Sequence, residues 1–163
     1  MTSKKLNPKY VDAVRKIVNA TPYFLLLGMH LHKLTPGRAE FFILVQDKHL
    51  NPFGRMQGGA VASVLDAACA WAFLSQVESN QSMSTADLKT SYLEPGRPGQ
   101  NLRAVGRAVK IGRKVGFCEA RLTEQGSGRL LAMASATCVI LDGPLPRVLV
   151  GLPTKFLTEN QKG

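Results

Sequence analysis

Acidic side chains are scarce in this chain: 11 Asp and Glu stand against 21 Lys and Arg, which leaves a formal charge of +10. No block of like charges exceeds two residues, so there is no charged tail or basic arm. The excess suits a polyphosphate-bearing small molecule as well as nucleic acid. No helix-turn-helix segment accompanies it, and nucleic acid is not an expected partner. Cysteine is equally sparse. Cys69, Cys118 and Cys138 are odd in number, widely spaced and set among apolar or small residues, which predicts buried reduced thiols and neither bridges nor a metal centre. The longest apolar stretch, 58–77, is interrupted by Asp66 and rich in Ala and Ser, so it makes a poor membrane span and a good buried helix. Lys4 and Lys5 are not followed by an apolar core with a cleavage site, and the expectation is a cytoplasmic protein without a membrane partner. No Gly-x-Ser-x-Gly elbow is present, which excludes that route to a serine nucleophile.

What the chain does contain is enough apolar residue, 45%, for one substantial core in 163 residues. Val11, Val14, Ile17 and Val18 recur at helical spacing, and Pro8 suits a first helical position, so a helix is expected over 7–19. A linker with Thr21 and Pro22 follows. Residues 29–33 and 38–46 read as strands joined at Thr35-Pro36-Gly37. After a loop at 49–57, the stretch 58–78 is the only long helical candidate in the middle of the chain, apolar on most of its circumference. Strands are then expected at 83–93, 101–111, 115–123 and 129–141, separated by Gly- and Pro-rich turns. Short turns imply antiparallel neighbours, hence one curved sheet of about six strands with the long helix on its concave face. Leu149, Val150 and Leu152 in the tail are expected to pack on a partner subunit.

The chemistry concentrates between Asn51 and Asp66. Gly58 and Gly59 open the central helix, where backbone N–H groups lack intrahelical acceptors and meet the positive end of the helix dipole. Such a place binds an oxyanion, although paired glycines also simply permit close packing of helix on sheet. Asp66 is the only charge between Arg55 and Glu78. An isolated carboxylate among apolar side chains costs several kcal/mol unless paired, and desolvation moves a carboxyl toward the range of a general base. A structural Asp bonded to backbone in a dimer core is the alternative. Ser63, Ala67 and Ala70 share its helical face and leave room for a ligand. Eight residues separate Gly58 from Asp66, about 12 Å at 1.5 Å per residue, too far to act on one carbonyl. Two antiparallel copies of the helix about a twofold axis would bring Gly58 of one chain opposite Asp66 of the other.

Asn51, Gly54, the Gln57-Gly58-Gly59 turn, Asp66 after Leu65, Ser84-Thr85-Ala86-Asp87-Leu88, Tyr92-Leu93-Glu94-Pro95, Gly112-Arg113 and Gly128-Arg129-Leu130-Leu131-Ala132 together resemble a hotdog-fold thioesterase of the phenylacetate-degradation type, over about residues 22–141. The resemblance implies an α+β hotdog fold, a long central helix wrapped by a curved antiparallel sheet, paired as a homodimer and often doubled to a homotetramer. It divides the chain into an N-terminal helical extension (1–21), a hotdog domain (22–141) and a C-terminal extension (142–163). It also implies hydrolysis of an acyl-CoA, with coenzyme A as part of the substrate and no separate cofactor. By position, Gly58 would supply the oxyanion N–H, Asp66 of the opposing subunit the base or nucleophile, Asn51 a contact to water or carbonyl, and Thr85 a hydroxyl steering the water. Gly59 would help bind substrate. The family usually has His before the paired glycines. Gln57 replaces it, and glutamine can orient by hydrogen bonds but cannot titrate near neutrality. A non-catalytic acyl-CoA binder or sensor is therefore the second reading.

Of the basic residues around two strands (Arg97, Arg103, Arg107, Lys110, Arg113, Lys114), Arg113 and Lys114 are the candidates to hold coenzyme A phosphates. His30 and His32 alternate on one strand face without an acidic partner at metal spacing, so they read as ordinary imidazoles, and His49 as a residue at the site's entrance. Phe53, Trp71 and Phe73 are candidates to shape an acyl pocket.

Overall fold

In the computed structural model, residues 5–143 and 145–157 are described; residues 1–4 (Lys4 among them), Pro144 and residues 158–163 lie outside the described residues. Helix α1 runs Pro8–Asn19, with the Asn7 side chain accepting from the Lys9 N–H as its cap and Tyr10, Val14 and Val18 on the buried stripe. The stretch expected as a linker is a second short helix, α2, Pro22–Leu27, started by Pro22 and ended by Gly28 at φ 63°. Strands β1 (Met29–Thr35) and β2 (Arg38–Leu44) form the expected hairpin. Then come helix α3 (Gly58–Leu74) and strands β3 (Gln81–Tyr92), β4 (Asn101–Ile111), β5 (Val115–Glu124) and β6 (Leu130–Asp142).

The six strands form one antiparallel sheet in the order β1-β2-β4-β5-β6-β3, and α3 packs across all of them. This is the hotdog arrangement, an α+β fold. One local expectation fails. The Gly- and Pro-rich turn at 95–99 does not join neighbours, because β3 pairs with β6 and becomes an edge, while β4 lies between β2 and β5. The connecting turn is held to the loop before α3 by the Met56 N–H, which donates to the Gly96 carbonyl at 2.9 Å.

Helix α3 stops at Leu74 rather than at Glu78. The Ser75 hydroxyl donates to the Ala72 carbonyl at 2.7 Å and accepts from the Gly37 N–H at 2.8 Å, which pins the chain to the β1–β2 turn. The buried Lys155 ammonium donates to the carbonyls of Leu74 and Val77, satisfying the helix end with a positive charge where the dipole favours one. The close approach of α3 to the sheet depends on Gly106: a Cβ there would fall 2.1 Å from the Ala68 carbonyl oxygen.

The core is the sandwich of α3, the inner sheet face and α1. Cys69, Cys118 and Cys138 are buried in it as free thiols, and burial pushes Cys69 up to about 12, so it stays protonated. Phe73 is completely buried against the core and Phe53 is 86% exposed, so neither shapes a pocket; Trp71 is half-buried. Leu149 and Leu152 pack on this chain's own core rather than waiting for a partner, while Val150 is exposed. His49 does not stand at an entrance: it is 2% exposed, its Nδ1 accepting from the Gln46 N–H and its Nε2–H donating to the Leu27 carbonyl. His30 and His32 are exposed and lie against Phe42. No helix among the described residues is long and apolar enough to cross a membrane.

Candidate active site

The site lies where α3 faces the edge strand β3. The two elements run in opposite directions, so successive helix turns meet successive strand residues from the far end. At the start of α3, the Tyr92 hydroxyl donates to the Gly58 carbonyl at 3.2 Å and its ring stands beside the glycine. Two turns on, the Thr85 hydroxyl donates to Asp66 Oδ1 at 2.9 Å. Among the described residues no donor reaches Asp66 Oδ2. The register of β3 on β6 shifts between Thr85 and Asp87. Such a bulge re-aims side chains locally, and here it leaves Thr85 facing the helix while Asp87 is exposed.

Asp66, Thr85, Ser63, Ala62, Ala86, Asp87 and Leu88 line an open cleft of about 370 Å³. Asp66 is half-buried, between solvent and an apolar helix whose Leu65, Ala68 and Cys69 have no exposure. The cleft therefore offers a carboxylate with one oxygen held and one open, beside a second carboxylate. That combination can take a proton from water or attack an electrophilic carbon.

Comparison with known proteins gives this arrangement a family. The model of the thioesterase superfamily matches residues 53–131, which hold α3 and strands β3, β4 and β5. A Pseudomonas aeruginosa protein named "putative esterase" is 31% identical over 125 residues, covering 76% of this chain and 92% of that protein. The chain belongs to the thioesterase superfamily. Human acyl-coenzyme A thioesterase 13 is 24% identical over 127 residues, 77% of this chain and 90% of that protein. Among solved structures, the E. coli PaaI protein from the phenylacetic acid degradation operon superposes with a TM-score of 0.76 at 20% identity, over 85% of this chain and 97% of that one.

Within one copy of this thioesterase-superfamily chain, the structure brings only Asp66 and Thr85 of the expected site residues together. Gly58 and Gly59 occupy the first two positions of α3, and their N–H groups have no acceptor among the described residues. Gln57 precedes them with its side chain exposed and making no cap bond; its own N–H goes to the His49 carbonyl at 2.7 Å. The Asn51 side-chain oxygen accepts from the N–H groups of Phe53 and Arg55, so it shapes the loop that delivers Gln57 to the helix. Arg113 is exposed in the β4–β5 turn, and the neighbouring Lys114 ammonium is paired with Asp142. Arg103 is committed elsewhere: with Arg38 it grips the buried Glu40. Burial alone would raise that carboxyl, but the bonds from Arg103 and Arg38 outweigh it and hold Glu40 below the usual range.

Three neighbours of the site escaped sequence reasoning. Asp87 stood in a matched motif without a role. Tyr92 reaches Gly58 across 34 residues of chain, and Tyr23 on α2 bonds the Ser63 hydroxyl at 2.6 Å across 40. No local pattern in the sequence signals such pairings, because they follow from where β3 and α2 are placed.

Proposed function

We propose that the protein is an acyl-CoA thioesterase, hydrolysing the thioester of an acyl- or aryl-CoA to free acid and coenzyme A at a site shared by two copies of the chain. The observation that carries this reading is Asp66: a lone carboxylate in an apolar helix, held by Thr85 and open to a cleft, in a thioesterase-superfamily chain. Water attacks the thioester carbonyl carbon as Asp66 takes its proton; the C–S bond then breaks and the departing thiolate of coenzyme A is protonated. Direct attack by Asp66, with water cleaving the resulting anhydride, uses the same geometry. Thr85 fixes the carboxylate's orientation.

The carbonyl oxygen needs N–H donors about 3 Å away, and along one helix Gly58 and Asp66 are separated by about 12 Å. The donors facing Asp66 therefore come from Gly58 and Gly59 of a second copy. The free edge of β3 supports this: 12 residues long and beside the cleft, it is a ready surface for pairing with a twofold-related strand. Gln57 takes the orienting part of the histidine it replaces, Asn51 holds the loop behind it, and Arg113 and Lys114 meet the phosphates. Coenzyme A enters as substrate. Buried reduced thiols fit a reducing compartment such as the cytoplasm.

The test is a panel of acyl- and aryl-CoAs with release of free thiol followed over time. The wild type should release thiol from at least one member, and Asp66→Asn should not. Binding of acyl-CoA with no thiol released from any member would overturn the enzyme reading in favour of a binding protein.

A further inference from the structure

The groove between α3 and β3 does not end at Asp66. One turn further along the helix is Ala70, about 6 Å away at 1.5 Å per residue. Two residues back along the strand from Thr85 is Met83, about 6.6 Å away on the same face. Ala70 and Met83, with Trp71, Leu74 and Ser82, line a second cavity of about 180 Å³. Its remaining wall comes from Pro146 and Leu149 in the segment after β6, beyond the residues the superfamily model matches. The carboxylate and this cavity are thus consecutive compartments between the same two elements. The first carries two carboxylates and two hydroxyls among small and apolar side chains and is the more open; the second has Ser82 as its only polar lining residue.

The wall is fixed in place. Leu149 packs on the core and its N–H bonds the Pro146 carbonyl at 2.7 Å. Further along, Lys155 is buried with its ammonium on the Leu74 and Val77 carbonyls, and its own carbonyl accepts from the Asn7 N–H at 2.9 Å. The segment is therefore tied to the C-terminal end of α3 and to the start of α1.

We propose that this segment closes the acyl end of the groove, and that Leu149 with Ala70 sets the size of the acyl group accepted: a single aromatic ring or a short chain of similar bulk. A cavity of roughly 150 Å³ holds one benzene molecule, and this one is of that order. Its apolar lining, and its position one helix turn beyond the carboxylate, select the acyl part of the substrate over the polar pantetheine arm. The inference rests on the thioesterase reading, but its test does not have to.

Trp71 is the chain's single tryptophan and lines the cavity, so its emission reports occupancy without catalysis. Neutral probes keep charge away from Asp66. Benzyl alcohol and hexan-1-ol should shift the emission saturably in wild type, and decan-1-ol should not. Leu149→Ala should admit decan-1-ol, and Ala70→Leu should abolish the response to all three. In thiol-release assays, Leu149→Ala should raise kcat/KM for decanoyl-CoA relative to phenylacetyl-CoA by about tenfold or more, the discrimination available to an apolar pocket. The size pattern by fluorescence with no acyl-CoA hydrolysed would sink the enzyme reading and keep the pocket. Hydrolysis with a size profile unmoved by both variants, or emission that changes with protein concentration but not with alcohol, would overturn the pocket; the latter would mean that a second copy fills it.

Discussion

The two ends of the α3–β3 groove differ in what the chain has invested in them. At the Asp66 end the walls are small or polar apart from Leu88, the cleft is open, and one carboxylate oxygen has no partner among the described residues. At the Trp71 end the walls are almost entirely apolar, and Pro146 and Leu149 from the segment after β6 form one of them. The first end holds groups that can do chemistry; the second has a single hydroxyl among apolar side chains. The contrast suggests that reaction and recognition are separable here, and substitutions at each end should move different quantities.

The largest effect is expected from Asp66→Asn, which keeps shape and removes the base or nucleophile. Thiol release should fall by about a thousandfold, within the usual reach of a single acid–base group, with the circular dichroism spectrum unchanged. A fall of less than tenfold would mean the open end is not where the chemistry happens. Lys155→Met acts at the other end. It leaves the carbonyls of Leu74 at the helix end and of Val77 beyond it without the ammonium and should cost about 2–4 kcal/mol in urea unfolding while relaxing acyl-size discrimination. Thr85→Val removes one bond to Asp66 Oδ1 and should lower kcat by roughly tenfold with KM little changed. The smallest effect concerns pH. Burial lowers the His49 pKa, the bond to Leu27 opposing this and the charge of Lys48 adding to it. A folded-state value below the unfolded one means that the ring's contribution to stability is complete above about pH 6.5 and is lost as pH falls through the lower folded value. Thermal midpoints measured from pH 7.5 to 5 should decline more steeply in wild type than in His49→Gln.

Much of this was legible in the residues because local rules acted alone. Pro8 with the apolar spacing of α1, the Thr35-Pro36-Gly37 turn and the solitary Asp66 each carried their own signal. What the sequence hid was set by tertiary contacts. The end of α3 depends on Lys155, 81 residues beyond Leu74 in the chain. The edge position of β3 follows from its pairing with β6, although the turn at 95–99 looks like a hairpin. His49 and Phe73 looked available for function but are buried by elements no local pattern could place. The second compartment was invisible for the same reason, since Pro146 and Leu149 lie more than 60 residues past Met83 on the opposite wall.

The claim that one copy's Asp66 works opposite the other copy's Gly58 can be tested by complementation. Gly58→Pro deletes the N–H while keeping a residue that suits a first helical position, and Gln57 before it is already extended. Gly58→Pro and Asp66→Asn chains, each inactive alone, are co-expressed and assayed as a mixture. If the two residues act across the twofold axis, half the dimers are mixed and each of those has one intact site, so activity should return to about a quarter of wild type. If both residues serve a site within a single chain, every site carries a lesion, and a mixture as inactive as its components would contradict the account.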